Sequence, residues 1–302
     1  MSIRLGVACA VVDDQGRVLL SKRDDLNVWN LPGGRVDSHE QLAEAAAREV
    51  REETGVIAHI ERPVNLYFWQ GFQRLNVLYA GWPLGGEVLP RTPETRDNQY
   101  FVPDSLPKML NASQVKAAVS DKRLLPEISA LSPGELRSFK RRLGVRWVQN
   151  LLRGKPEPRY PHFEVRAVAV IWNETHNRVL TLEGRRGRVL PRLRCGGLRA
   201  PWVELSERMK QHQRLNVTFQ WVGVWQDMAR DTLEFVFAAV APEKALPHPA
   251  EWSSVLNTPL GDRDMEFVEQ VRPSFMNDPV WTLNGESDLR EDDILIARDA
   301  GV

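Results

Sequence analysis

The chain has 302 residues, a length that suits two ordinary domains better than one. Hydrophobic residues make up 42% and charged residues 26%, the balance of a soluble globular protein with apolar material for two cores. Lys plus Arg equals Asp plus Glu at 40 each, so bulk charge recruits neither nucleic acid nor a membrane surface.

The opening segment MSIRLGVACAVVDDQG lacks the long apolar core of a signal peptide, and no run approaches transmembrane length. Cys9 and Cys195 lie in different halves, which argues for reduced, buried thiols over a disulfide framework. The expectation is a soluble cytoplasmic protein. Residues 4–12 read as a strand, DDQG as a turn, and RVLLSKR as a second strand ending in Lys22 and Arg23. An LPGG loop follows, then an Ala-rich helix predicted over Ser38 to Thr54. Strands are predicted at 64–72 and 74–82, and ETRDNQYFVPDSLPKML closes the unit with a strand, a Pro-marked turn and a short helix.

The chemistry-bearing residues are Gly34, Glu40, Arg48, Glu49, Val50, Glu52, Glu53, Gly55 and Val56, spaced G-x5-E-x7-R-E-V-x-E-E-x-G-V. Glu49, Glu52 and Glu53 stand at i, i+3 and i+4, which puts their carboxylates towards one side of a helix. Like charges so spaced repel by a few tenths of a kcal/mol per pair, roughly. Their clustering makes sense around a divalent cation, and an all-oxygen donor set with remaining waters suits Mg²⁺ or Mn²⁺. Arg48 can orient one carboxylate through a bidentate contact. Gly33 and Gly34 let the preceding loop turn tightly, and Gly55 stops the helix.

This pattern resembles the Nudix hydrolase superfamily without departure at any motif position. The resemblance implies an α/β (α+β) fold, an α/β/α sandwich with a mixed sheet flanked by helices. It implies hydrolysis of the pyrophosphate bond of a nucleoside diphosphate linked to another moiety, with Mg²⁺ or Mn²⁺ held by Glu49, Glu52 and Glu53 and supported by Glu40. Glu49 and Glu94 are both candidates for the general base, Glu94 having a solvated loop position as its equal alternative. For Lys22 and Arg23 the alternatives are phosphate binding and a surface cation, and strand alternation points only one of them at the substrate. Gly33 and Gly34 are the substrate- and metal-facing loop. Trp29 precedes it, as loop packing or as a base-stacking platform. The competing function is a non-catalytic nucleotide or nucleotide-sugar sensor or scaffold on the same fold. Gln70, Gly71 and Phe72 stand where some Nudix subclasses carry Pro or Tyr, which selects no substrate.

The chain then reads as one domain written twice. Arg17-Val18-Leu19 recurs as Arg178-Val179-Leu180, and Gly33-Gly34 finds a counterpart in Gly196-Gly197. EVRAVAVIW, RVLTLEGRR, a helix over Val203 to Leu215, WVGVWQ and TLEFVFAAV follow the order of the first half. Counting back from Val217 sets Met209, Lys210, Gln213 and Arg214 against Arg48, Glu49, Glu52 and Glu53, and Asn216 against Gly55. Cations and an amide offer no site for Mg²⁺. The second half is expected to be catalytically silent, either structural or an anion-binding module, with Trp202, Trp221 and Trp225 in its core or interface. The predicted layout is a catalytic domain at 1–130, a connecting helix and Pro-rich linker at 131–160, and a degenerate Nudix-like domain at 161–302. In the helix, Leu136, Phe139, Leu143, Trp147 and Leu151 form an apolar stripe expected to pack, with basic residues solvated. The expected partners are a nucleoside diphosphate-type substrate and the chain's own second domain, with a further homodimer open, and neither nucleic acid nor membrane.

Overall fold

The computed structural model describes residues 3–24, 27–109, 112–120, 124–129, 133–152, 154, 160–185, 187–271, 275 and 278–286. The chain divides into two compact units, one of Arg4–Arg123 with Glu127–His162, the other of Met1–Ile3, Leu124–Pro126 and Phe163–Val302. Among the described residues no helix is long and apolar enough to cross a membrane. Cys9 and Cys195 are free and buried, and burial pushes both thiols up.

The N-terminal unit runs β1 (Arg4–Val11), β2 (Val18–Arg23), β3 (Trp29–Asn30), α1 (Leu42–Thr54), β4 (Val56–Trp69), β5 (Arg74–Gly86), β6 (Thr95–Phe101), α2 (Ala112–Val119), β7 (Glu127–Ser129) and α3 (Pro133–Leu152). Its main sheet has the order β1-β5-β4-β7, with β1 parallel to β5, β5 antiparallel to β4 and β4 parallel to β7. A smaller sheet, β3-β2-β6, stands beside it. Burial on both faces explains why β1 is nearly all small or β-branched apolar residues.

The β4–β5 hairpin is longer than the alternation at 64–72 and 74–82 suggested. Register shifts at Ile57/Ala58, Ile60/Arg62 and Pro63/Asn65 break the two-residue period that a sequence reading follows. They also accommodate Pro63, which has no ladder donor.

The helix α1 starts at Leu42 and not at Ser38, because His39 is left-handed (φ 64°) and Gln41 is the extended N-cap. The Gln41 N–H donates to the Glu44 carboxylate (3.2 Å), half of a capping box. Ala45, Ala46 and Val50 form its buried face. Gly55 ends it in the left-handed region (φ 79°), donating to the Arg51 carbonyl as an αL cap does.

The helix α3 forms as predicted, but its stripe does not all pack. Leu136 is half-buried, whereas Trp147 and Leu151 are exposed, and the side chains of Phe139 and Leu143 lie outside the described residues. The Pro-rich stop at Pro156–Arg159 also lies outside them.

The C-terminal unit runs β8 (Glu164–Asn173), β9 (Arg178–Gly184), β10 (Gly187–Val189), β11 (Arg192–Arg194), α4 (Pro201–Gln213), β12 (Gln220–Asp227), β13 (Thr232–Ala241), β14 (Ala250–Ser254), α5 (Asp262–Gln270) and β15 (Trp281–Asn284). The stretch β8-β13-β12-β15 of its sheet is parallel, then antiparallel, then parallel, the same sequence of directions as β1-β5-β4-β7. Its core gathers Trp172, Trp225, Val236 and Phe267, and the expected Trp202, Trp221 and Trp225 are all buried.

The backbone bonds match the two halves at a different register from the Gly-Gly pairs. The Cys9 N–H donates to the Pro32 carbonyl (2.9 Å), and the Ala169 N–H donates to the Pro191 carbonyl (2.8 Å). Leu190-Pro191-Arg192-Leu193 therefore occupies the place of Leu31-Pro32-Gly33-Gly34, and Gly196-Gly197 does not. Both α1 and α4 span 13 residues and end on a left-handed residue, Gly55 or Arg214 (φ 54°). Matching these caps sets Glu207, Arg208, Gln211 and His212 against Arg48, Glu49, Glu52 and Glu53, in place of Met209, Lys210, Gln213 and Arg214. Met209 is fully buried like Val50, which the earlier pairing could not accommodate. Arg199 and Glu207 form an ion pair where Glu40 and Arg48 form one, with the charges exchanged.

Candidate active site

The loop Pro32–Gly34 is laid against β1 by two backbone bonds, Val7 N–H to the Gly34 carbonyl (3.0 Å) and Cys9 N–H to that of Pro32 (2.9 Å). The helix α1 then presents its carboxylates to this loop. The backbone N–H of Gly33 donates to Glu53 Oε2 (3.2 Å). A Cβ on Gly34 would overlap the Glu49 carboxylate, so only glycine lets that side chain lie against the loop.

The far end of α1 is fixed from β6. Thr95 Oγ1 and Asn98 Nδ2 both donate to the Glu53 carbonyl at 2.9 Å, and Asn98 Nδ2 also reaches the Leu89 carbonyl (2.8 Å). Leu89 N–H donates to the Thr54 carbonyl (2.8 Å). These bonds satisfy carbonyls that a helix end otherwise leaves open. Neither Thr95 nor Asn98 was singled out by sequence, since nothing local marks a cap supplied from more than 40 positions away.

Arg48 is the hub. Its Nε and Nη2 grip Glu40 Oε1 (2.7 Å) and Oε2 (2.9 Å) in a bidentate pair, and Nη2 also donates to the Arg35 carbonyl (3.0 Å). Its Nη1 holds Glu49 Oε1 (2.9 Å) and Glu52 Oε2 (3.1 Å). The Glu40 hydrogen bond is the main cause that raises the Arg48 pKa. Glu40 also accepts from the Asp37 N–H (3.0 Å), so its oxygens are turned to Arg48 and the loop. That is the position of a buttress for the cluster.

The three helix glutamates do not share one environment. Glu49 and Glu53, at i and i+4, are buried, whereas the Glu52 side chain is 59% exposed. At about 100° per residue, i+3 falls 60° to one side of i and turns Glu52 outward. Beside it a depression of about 550 Å³ opens, lined by Ala47, Arg48, Arg51, Glu52, Ile57 and Ala58. Among the described residues no three acidic or imidazole side chains converge into a ready-made ion cage.

Burial pushes the Glu49 carboxyl up, against the pull of Arg48 and with help from Glu52 and Glu94. Burial pushes Glu53 up to about 8, with Glu49 and Glu94 adding to it and Arg23 and the Gly33 N–H opposing it. Glu94, exposed in its loop, is therefore brought within electrostatic reach of both. The two cations of β2 part as alternation requires. Arg23 is felt at Glu53, whereas Lys22 Nζ lies 5.7 Å from the Trp29 ring centroid. Trp29 also meets Phe101 edge-on at 4.9 Å.

The donor set fits a hard divalent cation: oxygen only, no thiolate or imidazole, with burial pushing the Glu49 and Glu53 carboxyls up, a cost that a cation between them would offset. Sequence reasoning missed Arg74. Its Nη2 donates to the Gly34 carbonyl (2.6 Å), and Glu49 lies within its electrostatic reach. A lone Arg after a turn carries no local signal of such a role.

A family model described as NUDIX domain matches residues 2–122. The chain is 34% identical over 152 residues to a Bacillus subtilis (strain 168) protein named "Putative 8-oxo-dGTP diphosphatase", covering 46% of this chain and 97% of the relative. It is 30% identical over 129 residues to a "MutT-like protein" of Streptomyces ambofaciens, covering 43% of this chain and 79% of that one. Among solved structures, an ADP-ribose pyrophosphatase from Streptococcus suis 89-1591 matches with a TM-score of 0.35 and 24% identity, covering 41% of this chain and 96% of that one.

Proposed function

Since the chain belongs to the Nudix hydrolase family, we propose that its N-terminal unit is a divalent-metal-dependent pyrophosphohydrolase acting on a nucleoside diphosphate linked to a further group. The observation that carries this reading is the pair Glu49 and Glu53, buried against Gly33 and Gly34 and raised in pKa. Buried carboxylates that repel each other cost stability, and a site that retains them gains from a cation.

Glu49, Glu52 and Glu53 are the residues proposed to hold Mg²⁺ or Mn²⁺, which when bound neutralises phosphate charge and activates water. Arg48 holds Glu49 and Glu52 in place while its own orientation is fixed by the bidentate pair with Glu40. Arg23 supplies positive charge felt at Glu53, the charge a substrate phosphate would meet. Glu94 and Glu49 are the carboxylates placed to take a proton from the attacking water. Lys22 lies at Trp29 and is assigned no phosphate. The substrate class follows from relatives that carry names of nucleotide diphosphatases.

The C-terminal unit is proposed to be a degenerate copy, with 1–130 and 161–302 as the two domains and 131–160 between them. Its support is the shared strand order, the Leu-Pro turn at the same register and the matched helix caps. Arg208, Gln211 and His212 stand at the ligand positions, and Arg192 stands in place of Gly33. Arg192 and the Leu190 N–H both bind Asp264 of α5, so this turn is tied to its own core. Such a unit holds no Mg²⁺ and is assigned a structural role.

The experiment is Mg²⁺-dependent turnover of a nucleotide panel, including 8-oxo-dGTP and ADP-ribose, by the full chain. Turnover that disappears in Glu52→Gln and Glu53→Gln supports the reading. A folded chain that binds nucleotides and turns none over favours the sensor.

A further inference from the structure

The face of the main sheet next to the Gly34 loop carries polar side chains. Successive strand residues alternate between faces, and in β1 the residues Arg4, Gly6 and Ala8 share one. A Cβ on Gly6 would overlap the Asn76 amide and the Arg74 guanidinium, so both side chains of β5 lie on that same face, across Gly6. The parallel register pairs Arg4 with Arg74 and Gly6 with Asn76. Arg74 reaches on to the Gly34 carbonyl, and Gly34 abuts Glu49. Arg74 Nε is buried without a hydrogen-bond partner among the described residues.

An aromatic side chain closes this row from outside the sheet. Tyr160, beyond α3 in sequence, places its ring over Arg4 with the guanidinium carbon 4.8 Å from the centroid. It also lies within electrostatic reach of Arg74. Tyr160 remains 37% exposed and Arg4 is exposed, so this stacked pair still offers a flat surface to solvent. The succession Tyr160, Arg4, Arg74, Gly34, Glu49 thus leads from an open aromatic–guanidinium wall to a carboxylate of the site.

We infer that Tyr160 and Arg4 form the stacking wall for the substrate's nucleobase, with Arg74 and Asn76 reading its edge while the phosphates reach Glu49 and Glu53. The inference rests on the pyrophosphohydrolase reading and extends it to substrate selection. The chemistry fits a base in particular. A nucleobase has two faces that stack on tyrosine and on a guanidinium plane, and an edge of acceptors that a buried Nε–H satisfies. A sugar has no planar π-face to stack on a guanidinium. The missing Cβ of Gly6 lets Asn76 and Arg74 lie across the sheet, where their polar groups form the floor beside the wall. This wall would draw part of the catalytic unit's specificity from the segment that follows α3, outside the motif region.

The test is calorimetric binding of dGMP and of its base-free counterpart, deoxyribose 5-phosphate, to the full chain, since neither has an anhydride to cleave. The wild type is expected to bind dGMP more tightly than deoxyribose 5-phosphate. Tyr160→Ala should weaken dGMP about 5- to 100-fold, the range set by the loss of one base–aromatic stack. Deoxyribose 5-phosphate should bind it as it does the wild type, and Tyr160→Phe should keep dGMP affinity. Arg4→Ala should act in the same direction, with an unchanged melting temperature excluding misfolding. Equal dGMP affinity in wild type and Tyr160→Ala, or a wild type indifferent to the base, overturns the wall. Glu53→Gln turnover reports separately on the reading beneath it: its loss alongside unchanged dGMP binding in Tyr160→Ala sinks only this inference.

Discussion

Replacing Glu53 by Gln should stabilise the metal-free protein at alkaline pH while removing the activity. The Gln amide oxygen can still accept the Gly33 N–H that Glu53 Oε2 accepts in the native site (3.2 Å), so the loop contact survives. What disappears is the cost of ionising a carboxyl whose pKa is pushed from 4.5 to about 8, first by burial and then by Glu49 and Glu94. Below about pH 4.5 the folded and unfolded states are both protonated and the shift contributes nothing. Between 4.5 and 8 the unfolded chain loses the proton while the folded chain keeps it, so wild-type stability falls as pH rises. Above 8 both are ionised and the penalty is complete. One pKa unit corresponds to about 1.4 kcal/mol, which sets a ceiling of about 5 kcal/mol. Water entering the metal-free site reduces this to roughly 1–3 kcal/mol. For a unit of this size that is on the order of 2–10 °C in Tm. Thermal melts in EDTA from pH 5 to 8.5 read it directly. The Glu53→Gln and wild-type curves should coincide near pH 5 and separate towards pH 8.5, with the variant higher, and Mg²⁺ should raise only the wild type. Parallel curves across the whole range would refute the argument.

Arg48→Lys keeps the charge but loses the fork that grips both Glu40 oxygens, so turnover should drop roughly 10- to 100-fold with the fold intact by circular dichroism. Gly34→Ala drives a methyl group into the Glu49 carboxylate, the movable end of a side chain. It should therefore cost on the order of 10²-fold in kcat/KM while the melting temperature stays near the wild type. Asn98→Ala leaves the Glu53 and Leu89 carbonyls short of a donor and should destabilise by about 1–3 kcal/mol, read by urea titration.

Much of the site was legible because the motif is local. The Ala-rich run, the glutamate spacing and Gly55 lie on one helix, and periodicity places them to within a turn. The start of that helix was misjudged because His39 and Glu40 look helical by composition, whereas the left-handed His39 breaks the chain's path before Gln41. Spacing grouped Glu49, Glu52 and Glu53 together, but only packing shows that two are buried and one faces out. The backbone bonds of the second half match a different segment for a related reason. A visible Gly-Gly pair drew the alignment, whereas Leu190-Pro191-Arg192-Leu193, which has no glycine, is the segment bonded to β8 as Leu31-Pro32-Gly33-Gly34 is to β1. Arg74, Thr95, Asn98 and Tyr160 were out of reach altogether, since each acts across strands or from beyond α3 and leaves no periodic trace.

One active site per chain, in the N-terminal unit, is the central claim, and release of nucleoside monophosphate from the nucleotide panel in Mg²⁺ tests it most directly. Wild type and Arg208→Ala/His212→Ala should turn over alike, because the C-terminal unit is assigned no part in catalysis. Glu53→Gln should lose at least about 10²-fold, the scale set by removal of a group acting on the transferred proton or its metal. Full turnover by Glu53→Gln, or its loss in Arg208→Ala/His212→Ala with the fold retained, would contradict the account.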